Sequence, residues 1–235
     1  MIQFGILLAL LSPSETRPAT RPDEPRTHNL LSPEEQAAGF RLLFNGRDLA
    51  DWEHNGKPGS FTVRDGVLTG DRTGHSDWAY WLSTRREYAD FELRLQYKLS
   101  KGGNSGVFIR APRQGRASRL GMEVQLLDDG HKRGKPGPGD TGAIYQVAAA
   151  SSFVSKPAGQ WNDLWILCEG DHVRVTLNGQ VINDLSMADH EKLRARPRKG
   201  YIGLSAHTDP VQFRDIRIRE ISSGREGRPP ATRPE

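Results

Sequence analysis

The segment Leu99–Asp129, LSKGGNSGVFIRAPRQGRASRLGMEVQLLDD, holds the side chains best suited to chemistry in this chain. Two strand-like runs lie in it, Gly106–Arg110 and Met122–Leu127. Side chains alternate across a strand. Val107 and Ile109 then share one face, opposite Gly106, Phe108 and Arg110. In the second run Met122, Val124 and Leu126 share a face, opposite Glu123, Gln125 and Leu127. If the two strands are neighbours, Arg110, Glu123 and Gln125 converge on one surface. A guanidinium, a carboxylate and an amide together suit a sugar better than a phosphate or a membrane. Glu123 lies between apolar neighbours, so partial burial is expected to raise its pKa toward the range of a general acid or base. The bland alternative is an ion pair with Arg110.

The run Tyr201–His207 repeats the pattern, with Ile202, Leu204 and Ala206 on one face and Tyr201, Gly203, Ser205 and His207 on the other. The small side chains at Gly203, Ser205 and Gly106 are expected to leave room above the sheet, as in a concave ligand floor. An ordinary solvated face fits the same pattern. His207 ends its run as a base, a metal ligand or a plain surface residue. Asp128-Asp129-Gly130-His131 follows the Glu123 run without a standard metal-ligand spacing, so a solvated turn competes with a divalent-cation site. Asn104 either bonds a ligand or caps its turn. Lys156 and Trp161 border a loop, and Trp161 either stacks on a sugar or fills the core. Cys168, the one cysteine, sits in an apolar run and reads as a core residue. No Gly-x-Ser-x-Gly, His-Glu-x-x-His or nucleotide fingerprint occurs, and no nucleotide cofactor is expected.

These groups need strands to hold them. Phe91–Leu99 alternates apolar and polar throughout, as a half-exposed antiparallel strand does. His172–Leu177 alternates too, and Asn178-Gly179 turns it into Gln180–Asn183. Further strands are expected at Phe61–Val63, Val67–Thr69, Trp78–Leu82, Gly142–Val147, Trp161–Cys168, Tyr201–Ala206 and Val211–Ile221. The last changes phase near Asp215, which marks a bulge. Ser32-Pro33-Glu34-Glu35 opens a short helix ended by Gly39, and Ala188–Leu193 can form another turn or two. Many short strands predict an all-β sandwich or jelly roll of about residues 31–221.

The formal charge of +4 resides largely in the ends, and no basic stripe interleaved with aromatics argues for nucleic acid. Met1–Leu11 resembles the apolar core of an export signal, though no Lys or Arg precedes it. It is too short for a stable membrane anchor. Residues 1–30 are expected to be signal and linker, and residues 222–235 a disordered tail, which gives an exported protein.

An ordered set of phrases resembles the 3-keto-disaccharide hydrolase domain family. It includes Gly39–Leu49, Asp90–Leu93, Gly102–Arg110, Met122–Asp129, Thr141–Tyr145, Lys156–Asn162, Gly200–Leu204 and Phe213–Ile218. The resemblance implies a concanavalin-like jelly-roll β-sandwich of two antiparallel sheets. It also implies activity on glycosides oxidised at C3. A C3 carbonyl acidifies the C2 proton; a base removes it, the enolate expels the C1 substituent, and water adds to the enone. Under this reading Glu123 or His207 is the base or the acid. Arg110, or a divalent metal, meets the enolate oxygen. Asn104, Gln125, Asp128, Tyr145, Lys156 and Trp161 bind substrate. A lectin-like carbohydrate-binding module, a two-carboxylate glycosidase and a structural outer-surface protein are the rivals. The partner expected is a small carbohydrate.

Overall fold

In a computed structural model the described residues are 27–55, 59–71 and 81–222. The export signal, most of the linker and the C-terminal tail expected from the sequence lie outside them.

The described chain starts on a short helix, α1 (Pro33–Ala37), capped as its sequence dictates. The Ser32 hydroxyl accepts from the Glu35 N–H at 3.2 Å, and the Glu35 carboxylate accepts from the Ser32 N–H at 3.2 Å. The strands follow in order: β1 (Arg41–Leu42), β2 (Trp52–Asn55), β3 (Phe61–Arg64), β4 (Val67–Gly70), β5 (Trp81–Thr84), β6 (Phe91–Leu99) and β7 (Asn104–Ala111). A helical turn, α2 (Ala117–Leu120), leads into β8 (Met122–Leu127). Then come β9 (Asn162–Glu169), β10 (His172–Leu177), β11 (Gln180–Ser186), β12 (Tyr201–Ser205) and β13 (Val211–Glu220).

Two antiparallel sheets result. The larger runs β11-β10-β9-β6-β13-β4-β3, with β1 also on β13; the smaller runs β2-β5-β12-β7-β8. Their inner faces make one core. Leu93, Leu95 and Tyr97 of β6, Ile166 of β9 and Phe213 of β13 meet Val107, Val124 and Leu204 of the smaller sheet, all fully or almost fully buried. Such burial is the dominant stabilising term, at about 25 cal/mol per Å² of apolar surface. The chain is thus an all-β jelly-roll sandwich, as expected.

Several elements differ from the sequence reading. Gly142–Val147 is not a strand: Gly142 and Gln146 adopt left-handed φ of 81° and 58°, and Ile144 makes only isolated bridges to Val124 and Ala148. Its apolar residues are buried in turns instead. Of the strand expected at Trp78–Leu82, the described part belongs to β5 (Trp81–Thr84), and residues 78–80 lie outside the described set. The turn or two expected at Ala188–Leu193 is present as a 3₁₀ turn, Met187–Asp189, followed by a hydrogen-bonded turn in which the Leu193 and Arg194 N–H groups donate to the His190 carbonyl. The bulge at Asp215 is present. Pairing with β6 shifts between Arg214 and Arg217, Asp215 takes φ 54°, and its N–H donates to Asn29 Oδ1 at 2.9 Å.

Candidate active site on the smaller sheet

The β7–β8 register sets Phe108 opposite Glu123, Gly106 opposite Gln125 and Asn104 opposite Leu127. Alternation then turns Asn104, Gly106, Phe108, Glu123 and Gln125 away from the core. The Gln125 amide donates to Asn104 Oδ1 at 2.9 Å, which fixes both side chains on this face. Glu123 is only 8% exposed. Its carboxyl lies down over Gly106: a Cβ built there would stand 2.2 Å from Glu123 Oε1. Any side chain at position 106 would displace the acid.

Gly203 plays the same part for an aromatic. It pairs with Phe108 on one side and Ser83 on the other. A Cβ there would stand 2.1 Å from Trp81 Cε3. The space expected above these two glycines is therefore filled, by the Glu123 carboxyl and the Trp81 indole. Trp81 meets Phe108 edge-on, with ring centroids 5.2 Å apart and an interplanar angle of 84°. Both rings are nearly buried, at 6% and 8% exposed, in a small cluster with Ala111, Ala117 and Tyr201. An acid beside aromatic rings is a pairing that suits a sugar, whose ring has an apolar face and a polar rim.

Burial pushes the Glu123 carboxyl up to about 7, against the opposing pull of the Arg116 guanidinium. Among the described residues its carboxyl makes no hydrogen bond or ion pair, so its proton is not committed elsewhere. The segment Thr141–Tyr145 runs along the outer edge of β8, where the Tyr145 N–H donates to the Glu123 carbonyl at 2.9 Å. Tyr145 and Arg116 both line a cavity of about 720 Å³ at that edge.

Arg110 does not join this group. β7 carries an extra residue against β12, where Tyr201 faces Ala111 and Gly203 faces Phe108, and Arg110 takes φ 49°. That bulge turns its side chain inward, where it is fully buried. Its Nε donates to the Ala89 carbonyl at 2.8 Å, one terminal nitrogen to the Gly170 carbonyl at 2.8 Å, and the other to Asp90 Oδ1 at 3.0 Å. Arg110 ties the smaller sheet to the larger across the core.

Trp161 and Lys156 also sit apart. Trp161 packs on the outer face of the larger sheet, under Lys98 Nζ at 4.8 Å and the Arg214 guanidinium at 4.1 Å. Lys156 Nζ donates to the Trp161 carbonyl at 2.8 Å. Asp128 accepts from the Gly102 N–H at 2.9 Å, and the buried Asp129 accepts from Thr141 N–H and Ser155 O–H, both at 2.7 Å. These aspartates pin loops. Among the described residues no three His, Cys, Asp or Glu side chains come together as metal ligands. Cys168 is buried, with its thiol pushed up to about 12, as a core residue's should be.

His207 lies partly exposed two residues beyond β12, at the end where β12 runs alongside the Asn104 end of β7. The structure thus brings together Glu123, Gln125, Asn104 and Tyr145, with His207 at the margin. Two further contributors carry little signal in the sequence. Arg116 lies in a stretch that reads as plain loop, and Trp81 is one tryptophan of five. The legible trace of the Glu123 carboxyl and the Trp81 indole is the pair of glycines they lie against.

Residues 39–219 match the 3-keto-alpha-glucoside-1,2-lyase-like domain, and the chain belongs to that family. A 3-keto-disaccharide hydrolase of Bacteroides thetaiotaomicron is 25% identical, over 79% of each protein. The crystal structure of a candidate glycosyl hydrolase from Parabacteroides distasonis superposes with a TM-score of 0.72 at 25% identity, covering 83% of this chain and 100% of that one. A β-glucanase of Bacillus licheniformis shares the fold alone, with a TM-score of 0.52 at 12% identity over 77% of this chain and 97% of its own. Family and relatives support a glycoside-hydrolase-type function.

Proposed function

We propose that the chain cleaves glycosidic bonds of sugars oxidised at C3, by elimination and hydration, with Glu123 as the base. The observation that carries this is the Glu123 carboxyl: buried, unpaired among the described residues, held over Gly106 beside two amides, with a pKa brought to about 7. A base for a carbon acid needs that combination of availability at neutral pH and a dry setting. The name of the Bacteroides relative supports the keto-sugar substrate.

In this reading Glu123 takes the C2 proton, and the electron pair forms the enolate of the C3 ketone. Arg116 acts on Glu123 through its charge, so it assists as negative charge moves from carboxylate to enolate oxygen. The enolate collapses, the C1–O bond breaks, and the leaving oxygen takes a proton; His207 at the margin is the proposed donor. Water adds at C1 of the enone and C2 is reprotonated, which restores the 3-keto sugar. Asn104 and Gln125 orient hydroxyls. Trp81 and Phe108 offer the ring an apolar floor. The apolar start Met1–Leu11 adds the proposal that this occurs after export.

The test compares a 3-keto-glucoside with its unoxidised parent, with and without chelator. Cleavage of the keto form alone is expected, and sensitivity to chelator would add a divalent ion to the site. Cleavage of the parent at a similar rate would contradict the elimination route. Sugar binding without turnover of either would reassign the chain as a lectin-like module.

A further inference from the structure

The cavity beside the outer edge of β8 has an unusual lining. Arg116, Arg119, Lys192 and Arg196 contribute four cationic side chains, and among the described residues no carboxylate lines it. None of the four is in an ion pair among the described residues. Arg196 is partly buried, and that burial depresses its pKa. Its Nε donates to the Lys192 carbonyl at 2.9 Å, and one terminal nitrogen donates to the Ser118 and Gly121 carbonyls at 3.2 and 2.5 Å. Lys192 Nζ donates to the Gln146 carbonyl at 3.2 Å. Neutral carbonyls hold these cations in place without cancelling their charge. Uncompensated positive charge in a concave site concentrates field and draws anions.

The remaining lining includes apolar surface. Leu120 is 50% exposed there, and Tyr145 faces the same space. The cavity lies beside β8, the strand that carries Glu123. α2 carries Arg119 and Leu120 and leads through Gly121 directly into β8, while Tyr145 is hydrogen-bonded to the Glu123 carbonyl.

We propose that this cavity receives the leaving group of the substrate, and that the preferred leaving group is an anionic aglycone with an apolar body. The assignment rests on the reading of Glu123 as the reacting end of the site. A carboxylate or a sulfonate on an aromatic ring supplies the shared chemistry: the ring lies on Leu120 and Tyr145, and the anion meets Arg119 and its neighbours. A paired, planar contact with one guanidinium is not required; net positive charge in a shared cavity suffices.

The test measures equilibrium binding of phenyl, 4-carboxyphenyl and 4-sulfophenyl glucosides to the full chain, together with kcat/KM for their 3-keto forms. The anionic compounds are expected to bind about five- to tenfold more tightly than the phenyl compound, the range of a charge-assisted contact in a partly open site. The preference should shrink at high salt. Arg119→Glu should abolish or invert it. Lys192→Ala, a milder change, should reduce it even if the first variant folds poorly. A preference confined to the carboxylate or to the sulfonate would support the proposal and identify which anion the cavity takes. Equal binding of neutral and anionic compounds, or a preference untouched by both variants, would overturn it. An anionic preference in binding without turnover of any keto form would keep the cavity assignment and remove the elimination reading.

Discussion

Glu123 carries its charge at a cost set by where its carboxyl lies. The folded protein holds this group near 7, against 4.5 for an unburied glutamate. As the base it must be ionised, so kcat/KM is expected to rise with pH through about 7 and then level. Arg116 opposes the shift, so Arg116→Ala should move that limb to higher pH. A pH–rate profile of the two proteins checks this; an unmoved limb would detach Arg116 from the site. The same shift bears on stability. A carboxyl whose folded pKa is raised keeps more protons than the unfolded chain between the two values, so its contribution falls as pH rises through that window. Glu123→Gln should therefore gain on the parent in thermal stability toward pH 8 while losing about a hundredfold or more in turnover.

At the scale of elements, local signals carry far and register does not. The alternation of β6, the Asn178-Gly179 turn and the phase change at Asp215 are local signals, and each corresponds to an observed feature. The face carrying Glu123, Gln125 and Asn104 follows from the same periodicity. Arg110 departs from it because its bulge depends on the register between β7 and β12, which a single run cannot reveal. Gly142–Val147 reads as a strand because burial in turns and burial in a sheet select the same residues. Trp161 and Lys156 share a phrase with the family, yet the fold sends them to the larger sheet. Arg110 belongs instead to stability: removing it takes the ion-pair partner from Asp90, which keeps only the Gly170 N–H among the described residues, and a donor from two carbonyls. Arg110→Ala should cost about 3–5 kcal/mol in denaturant unfolding. An unfolding free energy unchanged in that variant would contradict the cross-sheet role.

Across the whole molecule, the two sheets share one core, and the outward face of the smaller sheet carries the proposed site. That face combines the buried Trp81–Phe108 pair and the buried Glu123 carboxyl, with a cationic cavity beside the outer edge of β8. That division explains why the fold is readable from composition and alternation, while the site depends on contacts between strands distant in sequence. Gly106 and Gly203 join the two levels, since their missing side chains let Glu123 and Trp81 lie on the sheet. The central claim is that Glu123 removes the proton at C2. Its most direct test is cleavage of a 3-keto-glucoside in deuterium oxide, followed by NMR of the released sugar before non-enzymatic exchange sets in. Deuterium at C2 in the wild-type product, with both exchange and cleavage lost in Glu123→Gln, is the predicted result. Cleavage with the C2 proton retained, or exchange undiminished in the variant, would contradict it.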